Sequence, residues 1–230
     1  PGFTGFIADV GGPTANMYGI ECSKKLSSGA CCDKRCLVPT ICKSLPLDHT
    51  RQTELLKKLR QIPGIKKVFV GSGIRYDMVL EDKKSGQKYL DEIVEHHVSG
   101  QVKIAPEHTE DELLRLMGKP GKNCLEEFVA RFNEANRRLN KRQFMTYYFI
   151  AAHPGCTMKD MARLNDFVKK ELKLRPEQVQ IFTPVPSCWS SVMYWTGKDP
   201  FSGKPLFVEK DNRRKDQQKL ALKGVRSRFR

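Results

Sequence analysis

Apolar residues fall along the chain in two alternating rhythms. Short runs rich in β-branched and aromatic side chains occur at Phe6-Ile7-Ala8-Asp9-Val10, Lys67-Val68-Phe69-Val70-Gly71, Gln101-Val102-Lys103-Ile104-Ala105, Phe144 to Ala152 and Val179-Gln180-Ile181-Phe182. Runs of this length and composition predict strands. Between them apolar positions recur three and four apart: Leu55, Leu56 and Leu59, then Leu90, Ile93 and Val94, then Leu113, Leu114 and Met117. Phe128, Phe132 and Ala135 follow, and finally Met161, Leu164, Phe167 and Val168. That spacing puts each set on one helix face. Thr109-Glu110-Asp111-Glu112 supplies a cap and acidic first-turn residues to the third of these helices. Strands separated by such helices predict an α/β protein of about five parallel strands in sequential order, with right-handed crossovers. Five βα units make up most of a (βα) barrel, here a partial one with an open edge. An open doubly wound sheet has the same periodicity.

In barrels of this kind the chemistry collects at the carboxyl ends of the strands. Those ends read Asp9-Val10-Gly11-Gly12-Pro13-Thr14, Gly71-Ser72-Gly73-Ile74-Arg75, Ile104-Ala105-Pro106-Glu107-His108, Ala152-His153-Pro154-Gly155-Cys156-Thr157 and Phe182-Thr183-Pro184-Val185-Pro186. Turn chemistry accounts for the Gly and Pro residues. It does not account for an Arg, a Glu-His pair and a His-Pro-Gly at equivalent places on successive units.

Charge and cysteine content change the picture further. The chain carries 41 basic and 26 acidic residues, a formal charge of +15, which favours a polyanionic partner such as RNA or ribosome. Much of the excess sits at one end, where residues 208–230 hold nine basic side chains, from Lys210 to Arg230, and three acidic ones. Residues 198–230 therefore read as a basic extension behind a barrel domain of residues 1–197. A solvated tail is the plain alternative to a nucleic-acid contact. No apolar run approaches the roughly 18 residues that span a bilayer, which argues against a membrane partner. No basic leader with an apolar core opens the chain, so it reads as a cytoplasmic protein met part-way along a longer one.

Five of the eight cysteines lie between Cys22 and Cys42. In a cytoplasmic chain such density points to metal or redox chemistry. The loop of residues 22–46 is long and rich in Gly, Pro and Lys, and it is expected to need a staple to become ordered. Four thiolates suit tetrahedral zinc or an iron–sulfur cluster, with Lys24, Lys25, Lys34, Arg35 and Lys43 offsetting the charge. A set of reduced thiols is the other reading. Cys124, Cys156 and Cys188 are isolated and read as packing residues.

Taken together the strand ends resemble the radical S-adenosylmethionine (SAM) superfamily. Gly11-Gly12-Pro13-Thr14 sits where that family has a Gly-Gly-Glu turn. Ile104 to Thr109 is similar to its Gly-x-Glu-Ser segment, and Phe149 to Thr157 to its late-strand Gly-x-Pro-Gly-Glu-Thr segment. Asp9 to Tyr18, Ser72 to Asp77, Lys103 to Thr109 and Tyr194-Trp195-Thr196-Gly197-Lys198 look like the YgiQ-type members. The resemblance covers nearly the whole chain. It implies SAM held by Gly11, Gly12, Pro13, Ser72, Arg75, Glu107 and His153, with reductive cleavage to a 5′-deoxyadenosyl radical that acts on an unknown substrate. The YgiQ pattern also picks out Cys22, Cys31, Cys36 and Cys42 as the set for zinc or a second cluster. One departure is serious. The Cys-x3-Cys-x2-Cys loop for the SAM-binding [4Fe–4S] cluster is missing, and no three cysteines here have that spacing. By the resemblance that loop precedes the part of the barrel present in this chain, and without it the polypeptide is expected to be inactive.

Several residues keep two readings. Glu107 suits proton transfer or, as the resemblance favours, positioning near SAM. Arg75 suits the SAM carboxylate or ribose, or an ion pair with Asp77 or Glu107. His153 faces either a substrate cavity or a neighbouring loop. His96-His97 reads as a dipole partner at a helix end. Tyr147, Tyr148, Trp189 and Trp195 have the chemistry to stack on a base. Three function classes follow: part of a radical SAM enzyme, an RNA- or ribosome-binding module using the basic tail, and a structural domain held by metal on four cysteines.

Overall fold

The computed structural model describes residues 3–32 and 35–223. Lys34, expected as a counter-charge in the cysteine loop, and Arg226, Arg228 and Arg230 of the basic tail lie outside the described residues. Five strands appear: β1 Gly5–Ile7, β2 Ile65–Val68, β3 Gln101–Glu107, β4 Phe144–Ala151 and β5 Gln178–Ile181. The helices are α1 Ser23–Ser28, α2 Thr50–Arg60, α3 Tyr76–Glu81, α4 Gly86–Glu92 and α5 Asp111–Met117. After them come α6 Lys122–Arg138, α7 Met158–Phe167, α8 Trp189–Thr196 and α9 Asn212–Lys223. Among the described residues no helix is long and apolar enough to cross a membrane.

The α/β class and the sequential strand order follow the predicted alternation. The strands are divided between two sheets, β1-β2 and β3-β4-β5, and β1–β2 and β4–β5 pair in parallel. An isolated parallel bridge joins Ile74, beyond β2, to Ile104 of β3. β1 is shorter than its apolar run, and Asp9 beyond it accepts backbone N–H groups from the loop that follows β2.

The chain forms two compact units. The first runs through Ala105 and takes in Asn123–Thr146; the second comprises Pro106–Lys122 and everything from Tyr147 onward. The described part of the stretch read as a basic extension, through Lys223, lies in the second unit. α9 packs against α7 and β5, and buries Gln218 and Leu222. The Gln218 side chain accepts from Ala152 N–H at 2.9 Å and donates to the Cys156 carbonyl at 3.3 Å. A helix with little apolar periodicity is thus fixed by one amide that satisfies two buried backbone groups.

In the first unit α6 buries Leu125, Phe128, Phe132 and Ala135, one face at helical spacing, and Phe128 lies 5.7 Å from the Tyr76 ring. In the second, Phe149, Met161, Leu164, Val168 and Val179 are buried around β4, α7 and β5. Gly155 has φ +92°, and a Cβ there would come within 2.8 Å of Leu116 Cδ1, so only glycine fits. Helices α4 and α7 each run on into a π-helical turn, Ile93–His97 and Val168–Leu172. The first turn places the His97 ring inside the unit, with Nδ1 2.7 Å from the Val68 carbonyl and Nε2 3.2 Å from Glu92 Oε1. His97, read as a dipole partner at a helix end, is a buried hydrogen-bonding link to β2.

Candidate functional site

In the first unit the ends of β1 and β2 are sewn together by side chains. Asp9 Oδ1 accepts from Gly71 N–H at 2.8 Å and from Ser72 N–H at 3.2 Å, and its Oδ2 accepts the Ser72 hydroxyl. Burial opposes ionisation of Asp9, but these donors and Lys103 outweigh it and lower its pKa. Ser72, expected to touch a cofactor, thus gives its hydroxyl to Asp9. Gly11 follows directly. A Cβ on it would meet Asp9 Oδ1 at 3.1 Å, Ser72 Cβ at 3.2 Å and Ala15 Cα at 3.3 Å, while a Cβ on Gly12 would meet nothing within 4 Å. Gly11 lets the loop close, and Gly12 leaves it open on one side.

Asn16 holds the far end of this loop. Its Oδ1 accepts from Arg75 N–H at 2.8 Å, and its Nδ2 donates to the Arg75 carbonyl at 2.9 Å and to His49 Nε2 at 3.1 Å. His49 Nδ1 in turn donates to Asp82 Oδ2 at 2.7 Å, and Asp82 also accepts from Ser85 Oγ. His49 and Asp82 are fully enclosed. Burial lowers the His49 pKa against the pull of Asp82, while hydrogen bonds bring Asp82 down to about 2 in spite of burial. The chain is therefore carboxylate, neutral imidazole and amide, with each polar atom matched. The Arg75 side chain is taken up by Asp77, its Nε 2.9 Å from Asp77 Oδ1. Of its two readings the ion pair within the loop is the one present.

Beside Gly11 and Gly12 lies a hollow of about 270 Å³, lined also by Thr14, Met17, Tyr18 and Gln52. Gln52 is 1% exposed. Its Nε2 donates to the Ala15 carbonyl at 2.5 Å, but its Oε1 is buried without a partner. An orphaned acceptor of this kind costs on the order of 1–3 kcal/mol until a donor reaches it.

The second unit holds Glu107 and His153. Glu107 closes β3 at φ +68°, and Ala152 follows β4 at φ +57°. Two non-glycine residues in left-handed conformation at strand ends mark constrained turns. Burial raises the Glu107 pKa, partly offset by Lys119, whose Nζ is 3.1 Å away. His153 Nδ1 donates to the Pro154 carbonyl at 2.8 Å, so Nε2 accepts from Ser190 Oγ at 2.8 Å. His108 Nδ1 accepts from Glu110 N–H at 3.1 Å, which leaves Nε2–H facing Cys156 Sγ at 4.0 Å. Burial pushes both histidines down to about 4 and the Cys156 thiol up to about 12. His153 is thus engaged by the next residue's carbonyl and by the first turn of α8.

Among the described residues no group of three or more His, Cys, Asp or Glu could hold a metal ion, and all eight cysteines are free. No three of Cys22, Cys31, Cys36 and Cys42 form such a group. Cys22 and Cys42 instead pack with Leu37, Ile41 and Leu47 against a small core of Ile20, Leu45 and Met78. The loop carries an apolar core of its own, with a backbone bond of 2.7 Å from Cys42 N–H to the Cys36 carbonyl. Sequence reasoning missed Asn16, His49, Gln52 and Asp82. Asn16 stood inside a quoted motif, whereas nothing local connects His49 with Asp82, 33 residues on.

Fold and site together describe an α/β protein with parallel strand pairs, polar side chains at the strand ends and a glycine-lined hollow after β1. Over 219 residues, 95% of its length, the chain is 62% identical to a UPF0313 protein of Fusobacterium nucleatum and covers 39% of that protein. It is 46% identical over 222 residues to a UPF0313 protein of Methanosarcina mazei, of which it covers 35%. Against a UPF0313 protein of Clostridium perfringens it is 42% identical over 220 residues, covering 33%. The chain thus spans between a third and two-fifths of the length of these curated relatives. No family model matches the chain.

Proposed function

We propose that this chain is part of the (βα) barrel of a radical SAM enzyme of the YgiQ type, and that its first unit receives the amino-acid end of SAM. The observation that carries the reading is the hollow beside Gly11 and Gly12 with the orphaned Gln52 Oε1. A buried acceptor beside an open glycine turn fits an ammonium group, which brings N–H donors and a positive charge. Gln52 would accept one of those hydrogens. The Asp9–Ser72 bonds and the Asn16–His49–Asp82 chain would hold the loop in its receiving shape. Glu107 and His153, in the second unit, enter the proposal through the family resemblance.

When bound to a reduced [4Fe–4S] cluster, SAM supplies a 5′-deoxyadenosyl radical. The cysteines of this chain do not fit that cluster: none have the Cys-x3-Cys-x2-Cys spacing, and the described ones form no metal group. The relatives are more than twice as long as the stretch matched here, which leaves room for such a loop elsewhere in them. The test has two arms. Calorimetric titration of this chain with SAM should give weak, saturable binding, and Gln52→Leu should weaken it tenfold or more at unchanged melting temperature, as expected for a bond to a charged donor. The Fusobacterium relative, reconstituted with iron and sulfide and reduced without oxygen, should release 5′-deoxyadenosine from SAM. No binding at millimolar SAM together with no 5′-deoxyadenosine would end the proposal.

A further inference from the structure

The second unit has a surface that the SAM reading does not use. Around α8 lies an open groove of about 1060 Å³ lined by Pro184, Val185, Trp189, Val192 and Trp195, among others. Trp195 is 72% exposed and Trp189 44%, and Val185 and Val192 are also exposed. These are the only two tryptophans in the chain. An indole is among the largest apolar groups a protein can leave in water, and contiguous apolar patches of this kind mark interaction sites.

Both indoles are held in place before any partner arrives. Trp189 packs on Phe201 with ring centroids 4.9 Å apart, and Trp195 meets Tyr194 edge-on at 5.5 Å. Tyr194 is itself fixed by Phe182 at 5.9 Å and by Lys215, whose Nζ lies 3.2 Å from its hydroxyl. The Ser191 hydroxyl and the Cys188 thiol of the groove are already engaged. Ser191 Oγ bonds to both the backbone N–H and the carbonyl of Val185, and the Cys188 thiol sits 3.0 Å from the same hydroxyl. The groove therefore offers flat faces and little spare hydrogen bonding.

Charge around it is one-sided. From residue 197 to 214 the exposed ionic side chains are Lys198, Lys204, Lys210, Arg213 and Arg214 against Asp211 alone. The other two acids, Asp199 and Glu209, are buried, and Asp199 is paired with Arg115 at 3.0 Å. Lys198 and Lys204 flank the turn that carries Phe201 up to Trp189, a turn closed by the bridge from Lys198 to Pro205. Lys210 lies 5.7 Å over the Tyr194 ring. Cations thus lie just past the carboxyl end of α8 and over its Tyr194.

We propose that this groove binds single-stranded nucleic acid, with bases stacked on Trp189 and Trp195 and phosphates met by Lys198, Lys204 and Lys210. An apolar peptide or a lipid tail would match the groove but not its cationic rim. A polyanion without bases would match the rim but not the indoles, and a duplex keeps its base faces covered. A single strand uses both features. With so few free donors or acceptors in the groove, binding should tolerate any sequence.

Tryptophan emission reports on this groove alone, because both indoles line it. A 12-nucleotide oligouridylate should quench it saturably, and a DNA 12-mer should do the same. With about three phosphate contacts, affinity should fall on the order of tenfold to twentyfold between 50 and 200 mM salt. Trp195→Ala should weaken binding at least fivefold with an unchanged melting temperature, since base–aromatic stacking is worth about 1–3 kcal/mol per base. Lys204→Glu should flatten the salt dependence. The proposal fails if heparin or duplex RNA quenches as well as the single strand. It fails equally if an apolar peptide does so, or if the oligonucleotide binds by anisotropy with no change in emission, which would assign the affinity to the basic tail.

Discussion

The two units solve the same task, holding polar residues at strand ends, by opposite electrostatic means. The first uses ionised carboxylates. Asp9 and Asp82 are surrounded by donors, which hold them charged, and the neutral His49 only relays between Asp82 and Asn16. The second pairs its one strand-end carboxylate, Glu107, with Lys119 and otherwise uses uncharged groups. His108 and His153 are buried without a carboxylate in contact and stay neutral, bonded to backbone, a hydroxyl and a thiol. A network of charges and donors depends on every member being present. A set of buried neutral histidines depends on the solution remaining basic enough to leave them so.

The sharpest way to break the comparison is to remove the relay in the first unit. His49→Leu leaves the enclosed Asp82 carboxylate and Asn16 amide each short of a partner. It should cost about 3–5 kcal/mol, read as a fall in denaturant midpoint. Hydrogen exchange should accelerate at Asn16 and Arg75 while the second unit is unchanged. A loss below about 1 kcal/mol would mean that the chain is ornamental.

Acid should act on both units, since burial also lowers His49 and His97 of the first, but the second carries the two larger shifts. A histidine whose folded pKa is depressed contributes stability that is complete above its unfolded value near 6.5 and is lost as pH falls toward the folded value. For His108 and His153 that window runs from about 6.5 down to about 4. Going from pH 7 to pH 5 should therefore destabilise the second unit by on the order of 3 kcal/mol for the pair. Asp82 acts lower, between its unfolded value near 3.8 and about 2. The double variant His108→Asn, His153→Asn should reduce the pH 5 to 7 slope in urea melts, leaving the share carried by His49 and His97 of the first unit. An undiminished slope would place the titration elsewhere.

The smallest expected effect lies in the cysteine loop. If the loop is held by its apolar core alone, added zinc should leave the melting temperature of reduced protein within about 1 °C, where a structural zinc site would raise it steeply. Alkylation in the native state should reach the exposed Cys32 and Cys36 first and the buried Cys156 last. Protection of Cys22, Cys31, Cys36 and Cys42 together by zinc would restore the four-thiolate centre.

What the sequence made legible was local and periodic. β3 and β4 fall within two residues of their apolar runs, and the buried face of α6 is the predicted Phe128, Phe132 and Ala135. The Arg75–Asp77 pair, two residues apart, was visible as one of the alternatives. The rest depended on partners that no period relates. Asp9 with Ser72 and Asn16 with Arg75 are set by how two loops approach, and His49 with Asp82 by where α2 begins. Leu37, Ile41, Leu45 and Leu47 have no regular spacing, so a loop with its own core looked apolar-poor. The single amide of Gln218 gave a helix of weak pattern a fixed seat in the second unit.

The order of synthesis gives the division of the chain a further meaning. The polypeptide passes between the units three times, after Ala105, after Lys122 and after Thr146. The first unit is unfinished on the ribosome until Thr146 has emerged, and α5, made well before, waits for Tyr147 onward to find its unit. At about 5–20 residues per second that interval lasts seconds. During it the apolar face of α5, with Leu113, Leu114 and Leu116, has no core to enter. A chaperone that covers short apolar helices would find its opening there, and a pause in translation just past residue 146 would let the first unit close before the second begins.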